Sequence, residues 1–323
     1  MKIIGGQITL DEPRHVKQPG SRGGHIIGHT STGEPIYGIL APKITKTPEQ
    51  KKIEQEARWN NILQSKSPQD RVVLVAARER KIVVPPAWTN LWISSDKSAD
   101  LQVKGKDAKG RTQYLYTVNA RNRNDAKKFN RLKSFSMDFP ALTARIGQDL
   151  DSSEEAKVLY LISKTGFRVG GEGDTGAEKQ AYGASTLLAS HVSVEGHKVQ
   201  FNFVGKKGVA QSHSIEDPKI VAMVRGKKGK LFDTNSGQVR TYLKSISGGK
   251  DYKVKDFRTY IATSIALVEA GKLVPPPPKT EKEKNNKIMQ VAKVVAARLG
   301  NTPQMARDSY IDPAVFSRWS LAP

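Results

Sequence analysis

"STLLASHVSVEGHKVQFNFVGKKGVAQSHSIED", residues 185–217, decides the fold class. Polar and apolar residues alternate through it, as a half-buried strand requires. Glu195-Gly196 and the "GKKG" at 205–208 break the alternation with turn residues. A three-stranded meander is expected here. The flanking segments have helical spacing instead. "SSEEAKVLYLISKTG" (152–166) opens with a Ser152–Glu155 capping box, continues with Val158, Leu159, Leu161 and Ile162, and stops at Gly166. "GQVRTYLKSI" (237–246) and "VKDFRTYIATSIALVEAGKL" (254–273) also read as helix. After the stiff "PPPP" connector at 275–278, Thr280 and Glu283 cap a helix that runs to Gly300. Residues 123–323 are therefore expected to form a mainly helical domain with one β insertion.

Upstream, residues 51–122 read as a small mixed domain. "TPEQKKIEQEARWNNIL" (47–63) is a helix entered through Thr47-Pro48. "RVVLVAARERKIVVPPAWTNLWIS" (71–94) is expected to hold short strands that end at Pro85-Pro86. "DLQVKGKDAKGRTQYLYT" (100–117) reads as two strands around a "GKDAKG" turn. Residues 1–50 are rich in Gly, Pro, Thr and His. Their "KQPGSRGGHIIGHTSTGEP" (17–35) shows neither period and reads as a flexible basic arm with Arg14, Lys17 and Arg22. His25 and His29 are four apart, but "GGHIIG" is a poor helix, and no metal site is expected there. The whole is an α+β chain: an arm (1–50), a small β-rich N-terminal domain (51–122) and a mainly α domain (123–323).

Composition narrows the chemistry. The chain has 323 residues and no cysteine, which removes disulfides, thiolate nucleophiles, Fe–S clusters and Cys-based zinc sites. No secretory h-region and no run of 18 apolar residues is present, so neither a signal peptide nor a membrane partner is expected. Lys and Arg number 53 against 31 Asp and Glu, a net charge of +22. The cations are spread through folded-looking segments, which points to a polyanion partner, by default nucleic acid. Gly171-Glu-Gly173-Asp-Thr-Gly176 fits GxGxxG, but it follows a helix rather than a strand, so no dinucleotide site is read there. No P-loop appears, and no paired carboxylates or His clusters suggest a metal-dependent nuclease.

Five polar residues stand at structural corners of the second half. Arg168 follows the Gly166 stop in "TGFRVGG". Lys206 sits at the second hairpin tip in "FVGKKGV". Arg258 lies near a helix start in "KDFRTY". Asn301 follows Gly300, and Tyr310 comes nine residues later in "LGNTPQMARDSY" (299–310). Singly, each has an ordinary reading: a solvated cap, a surface lysine, a half-buried tyrosine. Their order and local sequences resemble type IB DNA topoisomerases of the poxvirus and bacterial kind, from about residue 51 to the end. "DAKGRTQYLY" (107–116) is similar to that family's DNA-clamping strand motif, with Lys109, Arg111, Tyr114 and Tyr116 at the contact positions.

The resemblance implies transesterification at a DNA phosphodiester. Tyr310 attacks phosphorus and leaves a 3′-phosphotyrosine that stores the bond energy, so no cofactor, ATP or metal is implied. Arg168 and Arg258 hold the non-bridging oxygens of the transition state, because guanidinium forks offer parallel donors. Asn301 donates to the same oxygens, in a position where many relatives carry His. Lys206, directly after Gly205, protonates the departing 5′-oxygen as general acid. Tyrosine needs such a cationic setting because phenol ionises only near pH 10. The implied partner is double-stranded DNA, held by a monomer that closes around it as a clamp. The implied location is intracellular and DNA-associated, in a bacterial cytoplasm or nucleoid or with a virus. A tyrosine recombinase uses the same fold and nucleophile, but it usually shows HxxR at the second arginine, where this chain has Lys255 three before Arg258. A non-catalytic nucleic-acid binder is the third reading.

Overall fold

The computed structural model describes residues 2–4, 7–9, 24–29, 31–39, 46–171, 180–273, 276–317 and 319. Arg14, Lys17, Arg22 and most of the GxGxxG pattern lie outside these residues. The chain forms two compact units, one ending at Leu91 and one beginning at Trp92.

The stretch read as an arm contains regular structure. Strands β1 (Lys2–Ile4) and β2 (Gln7–Thr9) pair antiparallel, as do β3 (Gly24–His29) and β4 (Pro35–Ile39). Gly33, at φ +84°, supplies the left-handed residue between β3 and β4. Those strands are too short, and too rich in glycine, to show an alternating pattern.

Helix α1 (Pro48–Gln64) starts at a reciprocal capping box between Thr47 and Gln50, with Pro48 at its first position. Helix α2 (Pro68–Glu79) corrects the expectation of strands over residues 71–84. Val72, Val73 and Val75 favour a strand locally. Ser67 nevertheless caps the Asp70 amide, and Val73, Leu74 and Ala77 fall on one buried helical face. The Asp70 carboxylate accepts from the Leu91 amide at 2.7 Å and ties α2 to β5 (Thr89–Ile93). Helix α1 is where the sequence reads a helix, so α2 is the one element here that replaces expected strands.

Strand β5 joins β6 (Leu101–Lys106) and β7 (Thr112–Tyr116) in a sheet of order β5-β6-β7. There follow α3 (Val118–Gln148), α4 (Glu154–Thr165), the meander β8 (Val192–Glu195), β9 (Lys198–Val204) and β10 (Ala210–Glu216), and helices α5 (Pro218–Val224), α6 (Ser236–Ile246), α7 (Val254–Leu273), α8 (Glu281–Leu299) and α9 (Pro303–Ser309). The mixed helix-and-strand chain with a three-stranded insertion is as the sequence reads, with sheet order β10-β9-β8. Two boundaries differ. Residues 184–186 and 189–191 form 3-10 turns rather than strand, and α4 is capped by Ser153, whose hydroxyl accepts from Ala156, rather than by Ser152.

Helix α7 is common to two apolar cores. Its Phe257 packs with Phe135, Leu159 and Phe201 of α3, α4 and the meander. Its Ala262 and Ala266 pack with Val291 and Val295 of α8 and with Ile311 and Trp319. The first turn of α7 is pinned by Asp256, which is buried. It accepts two hydrogen bonds from Arg131 of α3, at 2.7 and 3.0 Å, and one from the Lys253 amide at 2.9 Å. Arg131→Ala leaves that carboxylate without its cation. Unfolding free energy is expected to fall by about 3 kcal/mol, seen as a lower urea midpoint by circular dichroism. An unchanged midpoint would show that the pair is dispensable.

Candidate active site

Two helices end side by side, and both end on left-handed glycines. Gly166 (φ +71°) closes α4 and Gly300 (φ +59°) closes α8. A Cβ on Gly166 would meet Leu299 Cδ2 at 2.8 Å and push that side chain aside, and the left-handed φ also favours glycine. The last carbonyls of each helix lack intrahelical partners and carry the negative end of the helix dipole. Arg258 of α7 lies between them and donates to the carbonyls of both Gly166 and Leu299. That explains how a guanidinium only 3% exposed is held there.

The chain leaves those two glycines toward the same spot. Arg168 Nη2 donates to Asn301 Oδ1 at 2.8 Å, and Arg258 Nη2 donates to the same oxygen at 3.0 Å. The carboxamide orientation is thereby fixed: its oxygen accepts from the two arginines, which leaves its nitrogen to donate elsewhere. Asn301 Nδ2 and Arg258 Nε are buried with no hydrogen-bond partner among the described residues. Orphaned buried donors are rare and call for an explanation. The hydrogen bonds of both arginines go to backbone carbonyls and to the Asn301 carboxamide oxygen, not to carboxylates. Burial and the nearby charge of Arg168 lower the Arg258 pKa to about 10. A partly buried cluster of like charge with unused donors fits an anion bearing several oxygens.

Tyr310 borders the cluster. Short helix α9 begins at Thr302, whose hydroxyl accepts from Met305, and ends on Tyr310. Thr263 of α7 donates to the Tyr310 carbonyl at 3.2 Å and accepts from the Asp312 amide at 3.1 Å. The ring is 7% exposed. Arg258 Cζ lies 5.0 Å, and Lys255 Nζ 5.2 Å, from its centroid. Burial pushes the phenol pKa up, but the charges of Arg258, Arg168 and Lys255 outweigh it, and the net shift is down.

Four of the residues read from the sequence therefore meet: Arg168, Arg258, Asn301 and Tyr310. Lys206 does not join them by any hydrogen bond or ion pair among the described residues. It is exposed at the β9–β10 tip, where Lys207 (φ +66°) and Gly208 (φ +74°) make the turn. Lys255 is an addition. It lies three residues before Arg258 on α7, a spacing that puts both on one helical face.

A second surface lies on the β5-β6-β7 sheet. Tyr114 and Tyr116 are 48% and 39% exposed, with ring centroids 6.4 Å apart. Lys104 pairs with Tyr114 in register, so both leave the sheet on one face. Lys104 Nζ lies 5.8 Å from the Trp92 ring, which is 45% exposed. Trp92 and Lys104 were missed in the sequence, although Leu91 in and Trp92 out is a strand alternation. The turn 107–111 is built on Asp107. Its carboxylate accepts from the amides of Lys109 and Arg111, the Arg111 side chain and Gln113. Foremost among these, Arg111 holds Asp107 down to a pKa of about 2. Lys109 and Arg111 are both exposed.

Comparison with known proteins agrees in both halves. The family model for the catalytic core of eukaryotic DNA topoisomerase I matches residues 117–314. The model for the N-terminal domain of bacterial DNA topoisomerase IB matches residues 69–107. The DNA topoisomerase 1B of Acanthamoeba polyphaga mimivirus is 27% identical over 262 residues, covering 72% of this chain and 76% of the relative. No helix among the described residues is long and apolar enough to cross a membrane.

Proposed function

The chain belongs to the type IB DNA topoisomerase family, and from that membership we propose that Tyr310 is the nucleophile of its strand cleavage, with Arg168, Arg258 and Asn301 around the scissile phosphate and Lys206 as general acid. The family reaction relaxes supercoiled duplex DNA. One strand is cut by transesterification, the DNA swivels, and the strand is resealed. Tyr310 Oη attacks phosphorus as the bond to the 5′-oxygen breaks. The phosphodiester energy stays in a 3′-phosphotyrosine, so resealing needs no ATP.

The observation that carries the assignment is the pair of orphaned buried donors, Arg258 Nε and Asn301 Nδ2, in a cationic cluster beside a phenol of lowered pKa. A pentacoordinate phosphorus gathers negative charge on its non-bridging oxygens. Donors fixed in advance stabilise that charge without reorganising. Lys206 reaches the leaving oxygen when the hairpin meets DNA, and proton donation there is worth roughly 10²–10⁴-fold in rate.

DNA is also held by the β5-β6-β7 face. Tyr114, Tyr116 and Trp92 present rings, and Lys104, Lys109 and Arg111 present charge to phosphates. The Arg111–Asp107 pair is exposed on the arginine side, so it opposes phosphate binding only weakly. The protein acts as a monomer whose N-terminal module (51–122) and catalytic module (123–323) close around the duplex. Separate family matches at 69–107 and 117–314 support two modules, although the second match begins before residue 123.

The activity test is relaxation of negatively supercoiled plasmid in EDTA without ATP. Relaxation is expected. Intact DNA binding with no relaxation would overturn the reading. The surface test is salt dependence. Lys104→Ala, Lys109→Ala and Arg111→Ala are each expected to reduce the slope of log K against log salt by about 0.9, measured by anisotropy. A slope unchanged by all three would remove this face from the interface.

A further inference from the structure

Strand β10 has an anomaly. Its inward positions hold Gln211 and His213, both buried, where a strand facing a core calls for apolar residues. Both side chains touch residues that immediately precede members of the site. A Cβ on Gly205, just before Lys206, would lie 3.0 Å from Gln211 Cγ. A Cβ on Gly300, just before Asn301, would lie 2.1 Å from Gln211 Oε1. Gln211 Nε2 donates to the carbonyls of Gly300 at 3.4 Å and Ala210 at 3.3 Å, while Oε1 lies 3.4 Å from His213 Nε2. The His213 ring in turn packs edge-on against Phe167, just before Arg168, at 4.8 Å.

The hairpin tip is itself closed. The Gly205 amide donates to Val209 at 2.8 Å, and the Gly208 amide donates to Gly205 at 3.1 Å. The tip is thus tied to itself at both ends of the turn, and Gln211 lies against its first residue. Resting on the assignment of Lys206 as general acid, we propose that Gln211 is a positioning residue that sets the Lys206 hairpin against the Gly300–Asn301 turn, so that proton donor and phosphate-binding donors keep one geometry. No apolar side chain does this: leucine fills the space but offers nothing to the Gly300 carbonyl.

The test separates proton donation from the rest of the site. In the ordinary step, the Tyr310 Oη–P bond forms, the P–O5′ bond breaks, and the leaving oxygen takes a proton from Lys206. With sulfur as the bridging 5′ atom, a thiolate leaves and needs no proton. Single-turnover cleavage is measured on a duplex bearing a site first mapped with the wild type, in oxygen and sulfur forms. The proteins are wild type, Lys206→Ala, Gln211→Leu and Gly205→Ala. Gln211→Leu is expected to slow cleavage of the oxygen duplex roughly 10–100-fold, the scale of a misplaced group, with DNA affinity unchanged. Sulfur is expected to restore it, as it restores Lys206→Ala. Gly205→Ala, whose added methyl would lie 3.0 Å from Gln211 Cγ at a buried position, is expected to give the same sulfur-reversible loss by pressing on Gln211, with an unchanged thermal transition as the check that the fold is kept. Wild-type cleavage of the oxygen duplex by both Gln211→Leu and Gly205→Ala would overturn the proposal. So would a loss in Gln211→Leu that sulfur does not restore while Lys206→Ala is restored. If sulfur fails to restore Lys206→Ala itself, the acid assignment falls, and this proposal with it.

Discussion

Tyr310→Phe is expected to abolish plasmid relaxation and covalent strand capture while leaving DNA binding intact. Phenylalanine keeps the ring that packs against Arg258 and Lys255 and removes only the hydroxyl. The backbone at this position is held by Thr263 through main-chain groups, which the substitution does not touch. The fold is therefore expected to survive, checked by an unchanged thermal transition. The proposed mechanism has no second nucleophile, so residual turnover is expected to be undetectable. Relaxation by this variant would mean that the nucleophile lies elsewhere.

The second large effect is at Arg258. Its guanidinium serves two ends: it bridges the C-termini of α4 and α8, and it holds the Asn301 carboxamide through Nη2 while Nε stays buried without a partner among the described residues. Arg258→Lys keeps a charge but loses the planar fork. Cleavage is expected to slow by about 10²-fold or more, the scale of removing a preorganised donor. Arg258→Gln removes the charge as well and adds a pH signature. The reactive form of Tyr310 is the phenolate, so cleavage rises with pH and levels off above its pKa. That pKa is below its usual value because the charges of Arg258, Arg168 and Lys255 outweigh burial. Loss of the Arg258 charge raises it, so the pH–rate curve is expected to shift to higher pH. A slowed enzyme with an unshifted curve would show that Arg258 acts on the phosphate alone.

The sequence announces the corners of this site but not how they meet. Gly166 and Gly300 are legible as helix stops, and the residues after them are legible as turned outward. That α4 and α8 end against each other is not legible, because it depends on packing around α7 between residues far apart in the chain. Arg258 shows the same limit. An arginine in "KDFRTY" is readable, but its burial requires the carbonyl ends of two other helices. Lys255 opens that same motif, but its place beside the Tyr310 ring is visible only in the structure. The meander was legible from alternation alone, whereas α2 was not, because its β-branched residues point to a strand and only the Ser67 cap and buried face overrule them. Trp92 and Lys104 needed the strand register to put them with Tyr114.

The most direct measurement is to identify the covalent bond. Wild-type protein is mixed with duplex DNA, stopped with detergent, digested with protease, and the nucleotide-bearing peptide is read by mass spectrometry. The expected result is a single peptide carrying the DNA 3′-phosphate on Tyr310, with a free 5′-hydroxyl on the departing strand. A phosphate on any other residue, or a linkage to the 5′ side of the break, would contradict the account.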